Sequence, residues 1–203
     1  MKMWVQRAAR CFGILAVAGG VALTTTSPAS AAAPNTGIGL RASGLIPRSP
    51  VVVSTFPGTS PNHRVGIRVP SLLSIGVVDT TAGPTSASAT VGNVAVALSD
   101  VTTVRVGKVK SSCAYDPSTG TVSGNATVTN ARIVLLGIPI ALRLDQAPNT
   151  TIALPGGLGT LTVNHQTLRA DGTLTVEAVS ISLFGGLEKV VVATSVCNKA
   201  VLA

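Results

Sequence analysis

Residues 159–183 read GTLTVNHQTLRADGTLTVEAVSISL. Two stretches that alternate Leu, Val and Ile with Thr, Ser and other polar residues, 159–169 and 173–183, flank Asp171-Gly172, a pair that turns one strand back beside another. In the second arm the apolar phase slips. Leu174 and Val176 hold one parity, whereas Val179, Ile181 and Leu183 hold the other. Successive side chains of a strand point to opposite faces, so a bulge near Ala178 is expected to bring both sets to one side.

The same grammar extends in both directions. Upstream it predicts strands over 37–43, 51–55, 64–69, 72–79, 86–98, 101–112, 121–128 and 133–144, with turns at 80–84 and 116–120. Downstream, Gly185-Gly186 turns the chain into a closing strand, 190–197. Pro139 cannot donate to a ladder, so its strand is expected at an edge or bulged. No long helical spacing occurs beyond the first thirty residues. The expected class is all-β: a single β-sandwich or barrel-like domain. A β-solenoid is the alternative, although no fixed repeat period is present. Residues 32–60, rich in Pro, Gly and Ser, read as an extended segment with short strands preceding a β-strand domain at 61–203.

Residues 1–31 have a different grammar. Lys2, Arg7 and Arg10 precede an apolar run, 11–23, and then the small residues Ala29-Ser30-Ala31. That order is a secretory signal peptide, with cleavage expected between Ala31 and Ala32. The run is too short for a membrane span. Cleavage would leave about 170 residues, the size of one domain. Loss of three cations lowers the formal charge from +8 to +5. It also leaves two cysteines, Cys113 and Cys197, which an oxidising exterior would join.

Little in the sequence points to chemistry. Two histidines remain, His63 and His165, and His165 with Asp145 or Asp171 has no recognisable nucleophile motif to serve. No metal-ligand spacing is present, and neither metal nor cofactor is expected. Asp145, Glu177 and Glu188 share no motif of paired carboxylates, and only Phe56, Tyr115 and Phe184 survive as aromatic platforms. The same scarcity argues against specific nucleic-acid binding, which interleaves charge with stacking rings. Arg105 lies on the opposite parity from Lys108 and Lys110, so an ideal strand would split them between two faces.

The second half carries a resemblance. Ser112-Cys113, Ala147-Pro148-Asn149-Thr150-Thr151 and Leu154-Pro155 are followed by Leu158-Gly159-Thr160-Leu161-Thr162-Val163-Asn164 and Gln166-Thr167. Gly185-Gly186, Val190-Val191-Val192, Ser195 and Cys197 close the set. Over residues 86–199 the chain resembles the choice-of-anchor P family of secreted actinobacterial surface proteins. The resemblance implies a β-strand protein outside the cell, with no established activity and no catalytic residues to carry over. Relatives often end in a wall or membrane anchor. Here no sorting signal, terminal apolar helix or basic tail follows Cys197, so release or non-covalent retention is expected. The leading expectation is a secreted or envelope-associated, non-enzymatic protein acting by interaction or assembly, including self-association. A small exported hydrolase of envelope polymers and a binding module for anionic wall polymers are the alternatives.

Overall fold

The computed structural model describes residues 34–198, and the expected signal peptide with its Ala31–Ala32 junction lies outside them. Thirteen strands are present among the described residues: β1 (Asn35–Gly44), β2 (Arg48–Phe56), β3 (Asn62–Val69), β4 (Leu73–Ala82), β5 (Ser86–Ser99), β6 (Thr102–Asp116), β7 (Thr121–Thr129), β8 (Arg132–Leu135), β9 (Ile138–Ala141), β10 (Thr150–Ala153), β11 (Gly159–Leu168), β12 (Leu174–Leu183) and β13 (Glu188–Cys197). They form two antiparallel sheets. Sheet A has the order β10-β11-β12-β13-β1-β2 and sheet B the order β3-β4-β5-β6-β8-β9, with β7 pairing the other half of β6. The result is a β-sandwich, neither a closed barrel nor a solenoid.

Residues 35–56, set apart in the sequence by composition, are not set apart in space. β1 lies between β13 and β2 and is bonded along its length to both. The expected strand over 133–144 is instead a tight hairpin, β8–β9, closed by Leu136 and Gly137 at φ 50° and 82°. Two successive positive φ values are what a two-residue hairpin turn with the strands' own twist requires. Pro139 falls in β9, the edge strand of sheet B. The turn at Asp171-Gly172 spans three residues, because Arg169 N–H still bonds to Thr173 O at 2.9 Å. Gly172 supplies the left-handed residue at φ 81°.

The core lies between the sheets. From β5 it takes Ala87, Ala89 and Val91 and then Val94, Val96 and Leu98; from β6, Val104 and Val106 and then Val109 and Cys113. Parity therefore reverses within each strand. The cause is a row of left-handed residues crossing each sheet. In sheet B, Gly66, Asn93 and Asn130 have φ of 68°, 55° and 56°. Gly76 and Gly107 stand between them in the ladder. A Cβ on Gly107 would lie 3.0 Å from that of Asn130, and one on Gly76 3.0 Å from that of Asn93, so glycine makes room for each asparagine. In sheet A, Val52, Ala193 and Asn164 have φ of 55°, 56° and 52°, and Gly39 and Ala178 stand between them.

The phase slip near Ala178 is thus present, but it is not a bulge. The β12–β13 register runs unshifted from Leu174↔Cys197 to Leu183↔Glu188, because both strands reverse together. Cys113 and Cys197 form a disulfide across a sequence separation of 84. It joins β6 of sheet B to the end of β13 in sheet A.

Candidate functional site

On the solvent side of sheet A, four strands bring charged groups together. Arg41 comes from β1, His165 from β11, Glu177 from β12 and Lys189 from β13. Glu177 is 3 % exposed. Arg41 holds one of its carboxylate oxygens, and His165 Nδ1 and Lys189 Nζ lie 3.2 and 3.4 Å from the other. Burial works to raise the Glu177 pKa, but the charges of Arg41, Lys189 and His165 together hold it below the ordinary glutamate value.

His165 therefore meets Glu177, not Asp145 or Asp171. Asp171 accepts the Thr173 N–H at 2.9 Å in the hairpin loop, and that bond holds its pKa low. Asp145 accepts the Ala147 N–H at 3.0 Å. Among the described residues no serine or threonine hydroxyl bonds His165. The arrangement surrounds one buried carboxylate with two cations and an imidazole; it does not present a nucleophile to a base. His63 pairs with Asp79 at 2.6 Å across β3 and β4, both exposed. No group of three His, Cys, Asp or Glu side chains able to hold a metal occurs among the described residues.

The solvent side of sheet B differs. One ladder row reads Arg68↔Ser74, Ser74↔Ala95, Ala95↔Arg105 and Arg105↔Arg132 across β3, β4, β5, β6 and β8. The neighbours of these residues along each strand, including Ile67, Val94, Val96, Val104 and Ile133, are buried, so the row faces solvent. Two depressions of about 590 Å³ each adjoin along it and share Ser74 and Ala95. The first is lined by Arg105, Arg132, Asn93 and Asn130, the second by Arg68.

The split expected between Arg105 and the lysines is overturned. Parity reverses at Gly107, so Val104, Val106 and Val109 all point inward, and Arg105, Lys108 and Lys110 share the outer face with Arg132. Sequence reading missed the row because Arg68, Arg105 and Arg132 stand far apart in the chain and only the strand ladder aligns them. The one local signal was an asparagine, a residue that tolerates left-handed φ, standing within strand sequence at Asn93 and just past a strand at Asn130.

Comparison with protein families, with curated proteins and with solved structures yields no match to this chain.

Proposed function

We propose that this chain is an exported β-sandwich, released from the cell or held on its envelope, which acts by non-covalent binding and carries out no turnover. The observation behind this reading is the outer face of sheet B. Its two adjoining depressions are open, floored by small residues and lined by guanidinium and carboxamide groups, which are hydrogen-bond donors suited to holding a ligand. The charged cluster on sheet A supports it from the other side, since its carboxylate is already engaged by three partners.

The leader sequence supports export, and the Cys113–Cys197 bridge suits an oxidising compartment. The resemblance of residues 86–199 to choice-of-anchor P proteins supports a place at the cell surface. Among the described residues no helix is long and apolar enough to cross a membrane.

Fractionation of a producing cell tests the reading. The expected result is a protein beginning at Ala32, two hydrogens lighter than its reduced form, in the medium or released from envelopes by salt. Incubation with isolated envelopes should leave them chemically unchanged. A cytosolic full-length chain, or soluble envelope fragments released during incubation, would overturn it.

A further inference from the structure

The arginine row carries more than a general affinity. Arg105 and Arg132 are directly opposed on neighbouring antiparallel strands, which places their Cα atoms about 5 Å apart. Like charges so placed repel. Among the described residues neither makes an ion pair, nor does Arg68. Asp79, on the outer face of β4, is taken by His63. A chain that needed only solubility would not gather uncompensated cations on one rung.

The row also has direction. Arg68 lies three strands from Arg105, about 14 Å at the usual strand spacing, and Ser74 and Ala95 between them leave a low floor. Asn93 and Asn130, turned outward by the left-handed row, add carboxamides along the same channel. We propose that this channel binds a linear phosphodiester polymer lying across the strands, with one phosphate shared by Arg105 and Arg132 and another held by Arg68. This rests on the binding reading above and names its partner.

Phosphate fits the opposed pair better than carboxylate. A phosphodiester offers two free oxygens in a tetrahedral arrangement, one for each guanidinium, whereas the two oxygens of a carboxylate lie in one plane and match a single planar arginine fork most closely. No aromatic ring lines either depression, so the bases of a nucleic acid would find no stacking platform. The partner is therefore a base-free polyol phosphate.

Calorimetry of the folded mature chain with poly(glycerol phosphate) at several salt concentrations tests the assignment. Arg105→Gln with Arg132→Gln should weaken binding by about tenfold or more. The slope of log affinity against log salt should fall by about 1 for each phosphate that the variant no longer neutralises. Lys108→Gln with Lys110→Gln should cost much less. Without polymer, Arg132→Gln alone should raise the melting temperature, because it removes the repulsion; with polymer, the wild-type chain should be the one that gains.

Equal losses in the arginine and lysine variants would overturn the channel in favour of diffuse charge. Tighter binding of oligothymidylate or polyglutamate would overturn the choice of ligand. A wild-type chain that sediments with envelopes yet ignores poly(glycerol phosphate) would sink the channel assignment and leave the broader reading standing. A chain that does neither would end both.

Discussion

At the scale of single residues, the left-handed positions include side chains that suit them and side chains that do not. Asn93 and Asn130 hold φ of 55° and 56°, and asparagine reaches that region more cheaply than other residues with a Cβ. Val52 holds 55° in the same role, where a β-branched side chain is a true outlier. Val52→Gly is expected to stabilise the fold by about 1 kcal/mol and Asn93→Ala to destabilise it by about the same amount, as read from urea midpoints. Glu177 gives a prediction of another kind. Its folded pKa lies below its unfolded value, 4.5 for a free glutamate. The stabilisation it provides is complete above that value and is lost as pH falls through the folded pKa. Glu177→Gln should remove that acid-side loss and lower stability near neutral pH by about 1–3 kcal/mol, a range set low because Arg41, His165 and Lys189 remain partly in water. Chemical denaturation across neutral and acid pH reads both effects.

At the scale of elements, the turns were partly readable. Asp171-Gly172 marked its hairpin, although the loop takes in Ala170 as well. Leu136-Gly137 did not announce a turn, because leucine is not a residue that favours positive φ and its neighbours look like strand. The exposed Leu136, at φ 50°, is therefore a place to improve the protein. Leu136→Asn should stabilise the β8–β9 hairpin by about 0.5–1 kcal/mol, seen as a higher midpoint with unchanged slope. Gly39 in β1 shows the opposite constraint. A Cβ there would run into Val78 of sheet B, so Gly39→Ala should cost about 1–3 kcal/mol by overpacking. The separation of residues 32–60 by composition reflected their prolines and glycines, and those glycines are what lets β1 pack closely in the sandwich.

At the scale of the whole molecule, class and disulfide were legible; the number of strands and the assignment of faces were not, since residues 132–141 fold as two strands and 150–153 as one more. Alternation predicts faces only while every residue keeps extended φ. A strand that reversed alone would turn its side chains away from its neighbours' core face, so the reversal at Asn93 has to be matched at Gly76 and Gly107 and onward across the sheet. Beyond the asparagines themselves that collective property has no local signature, and the channel draws on it: the left-handed φ of Asn93 and Asn130 accompanies the outward placing of their carboxamides beside the arginine row. The Cys113–Cys197 bridge spans both sheets and closes a loop of 84 residues. Its reduction should lower stability by about 4–5 kcal/mol on chain-entropy grounds, measured as the difference in unfolding free energy with and without reductant.

The same bridge decides how the protein would behave under a pull. Cys197 is the last residue of β13, and its sulfur is bonded to a strand in the middle of the opposite sheet. Tension applied beyond residue 197 would not peel β13 away from β1 and β12 one hydrogen bond at a time. It would enter both sheets at once through a covalent link, loading their ladders in parallel. Under such a pull residues 113–197 would stay closed behind the bridge until it was cut.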